Sequence, residues 1–169
     1  MLVMILIAFI VIFDQVSKHL IALYLENGVS QSVLPGFLSF YYHENRGAAW
    51  GMLEDHRWVF MSVSTLAILL ILGYLIFTRK QKQSPLLLTS LAFFAGGGIG
   101  NMIDRVRLGY VIDFLRFDFF DFPIFNIADS FISVGAFLMF YYLILESIKE
   151  RKQKKNISKT ALDGEKRDA

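Results

Sequence analysis

The sequence predicts an all-α integral membrane protein with four transmembrane helices, and three observations carry that prediction. Hydrophobic residues make up 55% of the 169-residue chain against 19% charged, with a mean hydropathy of +0.49. That is too apolar for a protein wetted on all sides. Four runs reach the roughly 20 apolar residues that a helix needs to cross a hydrocarbon core about 30 Å thick. Lys and Arg crowd two of the segments that join or follow these runs, as expected of the cytoplasmic side. The length suits one domain, and no internal repeat or low-complexity tract divides it.

The first run covers residues 1 to about 25. It lacks a basic start and a small-residue cleavage site and carries Asp14, Lys18 and His19, so it reads as a permanent span and not as a secretory signal. The other runs cover 58–78, 85 to about 108, and 126–146. Pro85 suits the first turn of the third helix, and Gly109 suits the position just past its end. Arg79, Lys80 and Lys82 lie between the second and third runs, and Lys149, Arg151, Lys152, Lys154 and Lys155 follow the fourth. Both ends of the chain are therefore expected in the cytoplasm. The loops 26–57 and 109–125 then face outward, where Arg46, Arg57 and Arg116 make the charge bias relative. Within the first of these, "VLPGFLSFYYHE" (33–44) combines a Pro-Gly turn signal with aromatics and reads as extended strand in a small outward sheet. Residues 1–150 form the expected domain. The polar, basic segment 151–169 is expected to be a disordered cytoplasmic tail drawn to anionic lipid headgroups.

Several chemistries are excluded at once. Cysteine is absent, which removes disulfides, thiol nucleophiles and thiolate metal sites. A net charge of +2 does not suggest a nucleic-acid partner. There is no HExxH, and His19, His43 and His56 lack metal-ligand spacing. No Gly-x-Ser-x-Gly elbow occurs, and the glycine run at 96–100 lies in an apolar helix without a P-loop lysine. No metal or other cofactor is expected.

What remains is a small set of polar residues that lipid makes conspicuous. Asp14 and Lys18 are spaced i, i+4 and share one helix face, where they can pair with each other. Gly97, Asn101 and Arg105 form a stripe on the third helix with Asp104 beside it, while Gly96 and Gly100 make a small-xxx-small packing pair. Of the acids in the last outward loop, Asp118 and Asp121 read as solvated charges. Asp113 is flanked by Val111, Ile112, Phe114 and Leu115, which tend to desolvate it. Asp129 stands three residues after Asn126, so a helix cap with an acid in the first turn accounts for it locally.

A second reading has Asp113 and Asp129 converge. Two carboxyls in a poorly solvated site share one proton near neutral pH, which supplies an acid and a base for hydrolysis by activated water. Spacing alone does not single out this pair. A small membrane transporter or ion-coupled binding protein using the same carboxylates, and a purely structural bundle, remain alternatives.

The motifs narrow the choice. "DQVSK" (14–18), "NRGAAWG" (45–51), "GNMIDR" (100–105), "VIDF" (111–114) and "FNIAD" (125–129) occur in the order found in bacterial lipoprotein signal peptidases, and the chain resembles that family, signal peptidase II, over almost its whole length. The resemblance implies a membrane aspartyl endopeptidase that cleaves diacylglyceryl-modified prolipoproteins just before the lipidated cysteine. It implies Asp113 and Asp129 as the catalytic dyad, with Asp14, Lys18, Asn45, Gly47, Asn101, Arg105, Asn126 and Ala128 binding substrate or supporting the site. It also implies four spans, an extracytoplasmic β-cradle, a mobile outer-surface helix and a location in the bacterial cytoplasmic membrane. The expected partners are prolipoproteins and membrane lipids, and a monomer is expected.

Overall fold

The structure is a computed structural model that describes residues 2–25, 29–47 and 57–165. Four helices carry most of the chain: α1 (Leu2–Tyr24), α2 (Arg57–Phe77), α3 (Pro85–Arg107) and α4 (Ile127–Glu165). Strands β1 (Ser30–Leu34) and β2 (Leu38–Asn45) follow α1, and β3 (Val111–Phe117) lies between α3 and α4. The helices α1 and α3, and residues Ile127–Lys155 of α4, are long and apolar enough to cross a membrane. In α2 the apolar stretch Met61–Phe77 is shorter.

The polarity of the bundle is inverted relative to a water-soluble protein. On α1 the buried positions are Ile7, Ile10, Asp14, Lys18 and Ile21, one face at helical spacing, while Ile5, Phe9, Ile12, Val16, Leu20 and Leu23 are exposed. An apolar exterior around a partly polar interior fits lipid as the solvent. The helix α3 is central and touches α1, α2 and α4. Its buried positions are mostly small, which lets backbones approach closely. The glycine run serves three neighbours: Gly96 and Gly100 lie against Ile10 and Asp14 of α1, Gly97 against Ala128 and Ile132 of α4, and Gly98 against Ile68 of α2. A Cβ at Gly100 would stand 2.5 Å from Asp14 Oδ2. Gly100→Ala is therefore expected to cost about 1–3 kcal/mol of stability as an overpacked contact. Gly73, with nothing within 4 Å of its Cβ position, should tolerate alanine, and thermal unfolding of the two variants in detergent compares them.

Pro85 stands at the start of α3, and Gly109, at φ 85°, follows its C-cap Leu108. Only a residue free to adopt the left-handed region turns the chain this sharply out of a helix. The strands form one antiparallel sheet in the order β1-β2-β3, at the end of the bundle where α1 and α3 finish and α4 begins. The β1–β2 hairpin turns at Pro35-Gly36, with Gly36 at φ 73° and Phe37 N–H bonded to Leu34 O at 2.9 Å, a type II arrangement. Ile21 and Leu25 of the α1 end pack with Ile112 and Phe114 of β3 into a small core beneath the sheet.

Three features differ from the sequence reading. The strand β3 occupies what reads as loop, because its pairing partner lies far away in sequence. The helix α4 continues to Glu165, beyond the expected boundary at 146 and into the segment expected to be disordered. Residues 149–155 of its extension are Lys, Glu, Arg and Gln, all good helix formers, and the extension contains no proline. No outer-surface helix occurs among the described residues, and residues 48–56, between β2 and α2, lie outside them.

Candidate active site

Asp113 reaches its place through an irregularity in the sheet. Phe40 pairs with Leu115, yet His43 pairs with Asp113, so β2 spends three residues where β3 spends two. This bulge flips every later residue of β2 to the other face. Without it Asn45 would point away from Asp113; with it, Asn45 Nδ2 donates to Asp113 Oδ2 at 2.8 Å.

Asp129 is set by the start of α4. Its backbone N–H donates to Asn126 Oδ1 at 2.9 Å, and its Oδ2 accepts from Asn126 N–H at 3.2 Å. This reciprocal capping box satisfies two of the donors that a helix start leaves unpaired. The other carboxylate oxygen, Oδ1, accepts from Asn101 Nδ2 of α3 at 2.8 Å.

Three asparagines thus aim their amide N–H groups at two carboxylates, and each is held by its own oxygen. Asn45 Oδ1 accepts from Gly47 N–H at 3.0 Å. Asn101 Oδ1 accepts from Lys18 Nζ at 2.8 Å and from Asn126 Nδ2 at 3.0 Å. Asn126 Oδ1 is occupied by the cap, so its Nδ2 turns to Asp113 Oδ1 at 2.6 Å. An amide whose oxygen is committed to donors can present only its nitrogen to an acid. Asn126 is thereby bonded to both aspartates.

Beneath this layer Lys18 Nζ lies 2.9 Å from Asp14 Oδ2 and 2.9 Å from Asp104 Oδ2, with Lys18 and Asp14 almost wholly buried. Asp14 Oδ1 accepts from Ala128 N–H at 2.9 Å, which ties α1 to the first turn of α4. Asp104 accepts from Gln15 Nε2 at 2.9 Å and from Ile112 N–H at 3.2 Å, the residue before Asp113. Every buried side-chain nitrogen and oxygen among the described residues has a partner. That completeness is what makes such a network tolerable in lipid.

All ten residues singled out in the sequence belong to this one region. Asp14 and Lys18 do pair as expected, but Lys18 is shared with Asp104 and Asn101. Asp104 and Gln15 were not among the expected site residues. The available signal was the placement of both inside matching motifs, "GNMIDR" and "DQVSK". Asp118 is exposed, as a solvated loop charge should be, and it also accepts from Ser39 Oγ at 2.5 Å and pairs with Arg116 at 3.2 Å, tying the end of β3 to β2.

Above the two aspartates opens a cavity of about 890 Å³ lined by residues that include Asn45, Gly47, Arg105, Asp113, Asp121 and Asp129. Ser130, Ser133 and Val134 of α4 extend its wall along the helix. Burial pushes the Asp113 carboxyl up to about 7, and the neighbouring Asp129 charge pushes it the same way. Hydrogen bonds from Asn45 and Asn126 and the Lys18 charge pull against the shift. Such a carboxyl keeps a proton near neutral pH and can donate it. Arg105 is near both acids electrostatically, and among the described residues its hydrogen bond is a long one, 3.5 Å to Asn101 O. The arrangement can offer an acid, a base and a cation to a polar group entering the cavity.

Comparison with known proteins gives the family. The sequence profile of the family described as Signal peptidase (SPase) II matches residues 6–145. The lipoprotein signal peptidase of Enterococcus faecalis is 44% identical over 149 residues, covering 88% of this chain and 91% of the relative. That of Lactobacillus gasseri is 47% identical over 141 residues, covering 83% and 90%. A bacterial membrane enzyme solved by the in meso method at 2.3 Å resolution superposes with a TM-score of 0.79 at 35% identity, covering 86% of this chain and 88% of that one. With a profile match over most of its length and relatives this similar end to end, the chain belongs to the signal peptidase II family.

Proposed function

We propose that Asp113 and Asp129 are the catalytic dyad of this peptidase, which removes the signal peptide from prolipoproteins. The observation that carries the assignment is their placement: two carboxyls on the wall of one cavity, both bonded to Asn126. Near neutral pH the pair holds one proton, and its titration belongs to the pair. The ionised member takes a proton from a water as the water oxygen attacks the scissile carbonyl carbon. The protonated member hydrogen-bonds the carbonyl oxygen and transfers its proton there. As the resulting diol collapses and its C–N bond breaks, the first carboxyl gives its proton to the leaving nitrogen and a diol hydroxyl gives its proton to the second, so the dyad returns to its starting state. Arg105 is suited to hold a substrate carbonyl, since a guanidinium has five donors and this one makes a single long hydrogen bond among the described residues.

The cut falls just before a diacylglyceryl-modified cysteine of the substrate, whose acyl chains remain in the bilayer while the peptide enters the cavity. α2 is the fourth span, the sheet cradles substrate at the extracytoplasmic face, and both ends of the chain are cytoplasmic. Arg79, Lys80 and Lys82, and the basic residues from Lys149 to Lys155, support that orientation. Residues 1–150 form the peptidase domain, 151–169 a basic cytoplasmic tail, and the protein acts as a monomer among membrane lipids.

Purified protein in detergent is expected to release the signal peptide from a lipidated precursor with no added metal and at an unchanged rate in chelator. Zinc-dependent cleavage would overturn the dyad mechanism. A pH series tests the shared proton. With the Asp113 carboxyl raised from 3.8 to about 7, kcat/KM should fall above about pH 7, approaching tenfold per unit, as the proton donor is lost. The same shift has a sign for stability. The folded state holds this proton more tightly than the unfolded chain, so its stabilising contribution is full below 3.8 and disappears as pH rises through about 7.

A further inference from the structure

The densest aromatic cluster among the described residues reaches beyond the cavity: Phe117, Phe122 and Phe125 line it, while Phe37, Phe119 and Phe120 are not among its lining residues. Phe117, Phe119, Phe120, Phe122 and Phe125, on the segment from β3 to α4, meet in pairs with ring centroids 4.6–5.8 Å apart. Phe37 of the β1–β2 turn stacks on Phe119 at 4.9 Å. The loop is fixed at both ends, by Asp118 N–H to Phe37 O at 3.1 Å and by the Leu115–Phe125 bridge. Even so, Phe37, Phe119, Phe120 and Phe122 are 48%, 57%, 46% and 41% exposed. A rigid apolar patch of this size on a protein surface marks a contact.

Its position says what the contact is. Phe125 immediately precedes the Asn126 cap, so the loop ends where the α4 span begins. The cavity that Phe122 helps to wall extends to Val134, seven residues or about 10 Å along α4 from Ile127. There Val134 and Phe137 continue the exposed apolar exterior of the helices. The patch is thus contiguous with the surface that faces lipid. Two exposed acids border it, Asp118 paired with Arg116 and Ser39 and Asp121 on the side of the cavity, where their carboxylates can stay with water and headgroups while the rings insert.

We propose that this cluster is a membrane-inserted wedge, with Phe119 and Phe120 among the acyl chains of the leaflet at the sheet end of the bundle. It holds the sheet down on the bilayer beside the mouth of the cavity, so that a lipid-anchored peptide passes sideways into the site without leaving the leaflet. That last consequence rests on the peptidase reading; the insertion does not.

The cysteine-free sequence permits a direct test. Phe119→Cys and Phe120→Cys, each shown by thermal unfolding to be folded, are spin-labelled and reconstituted in phosphatidylcholine–phosphatidylglycerol vesicles. Phe137→Cys serves as the lipid reference and Lys154→Cys as the water reference. The ratio of collision with oxygen to collision with a water-soluble nickel chelate is expected to be several-fold above that of Lys154→Cys and close to that of Phe137→Cys. A ratio equal to the water reference places the cluster in solvent and overturns the proposal. Protection from both reagents means that a second copy or another protein covers it, and overturns it equally. Neither readout depends on cleavage, so failure here is separable from failure of the dyad.

Discussion

Asp113→Asn and Asp129→Asn are each expected to lower kcat for release of the signal peptide by at least about 10³-fold, since in the proposed mechanism each carboxyl gives and takes a proton in one cycle and each such role is worth about 10²–10⁴. The substitution keeps shape but replaces one acceptor oxygen by an N–H donor, which then faces an asparagine N–H: Asn45 or Asn126 at position 113, Asn101 at position 129. At position 129 the asparagine can still cap α4, because Asn126 N–H needs only an acceptor oxygen. KM should therefore change little, while the unfolding temperature falls by the equivalent of one unmade buried hydrogen bond, about 1–3 kcal/mol. Combining the two substitutions should cost scarcely more than either alone, as residues that act as a unit are strongly non-additive. Steady-state kinetics on a lipidated precursor decides the matter: either single variant retaining a tenth of normal kcat removes that residue from the mechanism.

Lys18→Met should be the most damaging change in the support layer. It withdraws the cation that lies 2.9 Å from both Asp14 and Asp104 and leaves two acids facing each other inside the bundle. Removing one partner of a buried ion pair costs about 3–5 kcal/mol, mostly from the charge left behind. Adding Asp104→Asn to Lys18→Met should recover part of the loss by removing one stranded acid, and thermal unfolding of both measures it. Lys18 also reaches the chemistry, through Asn101, which it orients towards Asp129, and through its charge, which lowers the Asp113 carboxyl. Whatever activity survives in Lys18→Met should thus lose rate at a higher pH than the unaltered enzyme. A lysine that only braced the helices would leave the pH profile in place.

The legible parts of this protein were those governed by short-range physics. Runs of apolar residues announced α1, α3 and α4 to within a few residues at their starts, because crossing lipid demands length and hydrophobicity together. Pro85 and Gly109 marked the two ends of α3 for reasons internal to one or two residues. Asn126 and Asp129 announced a cap, and the cap is there. Its double use was hidden: one oxygen of Asp129 closes the helix start while the other receives Asn101. A local reading sees the first role and is satisfied.

The strand β3 was missed for the opposite reason. "VIDFLRF" lies between two spans and has no partner near it in sequence; its partner, β2, ends 66 residues before β3 begins. Asp104 was noted only as a neighbour of Asn101, since nothing local reveals that it reaches Lys18, Gln15 and the backbone of Ile112. Asp118 is exposed as its loop position suggests, but its hydrogen bond to Ser39, 79 residues away, has no local signal.

The sequence by itself therefore determined the solvent this chain lives in, where its helices begin, which turn joins β1 to β2, and, through five ordered motifs, the family to which it belongs. Only the tertiary structure decided which acids meet. Asn45 bonds Asp113 across 68 positions of sequence and Lys18 bonds Asn101 across 83, and the first contact depends on a one-residue bulge in β2. Helix and turn preferences act over a few neighbouring residues, whereas the direction of a side chain in a paired strand depends on the register of the whole sheet.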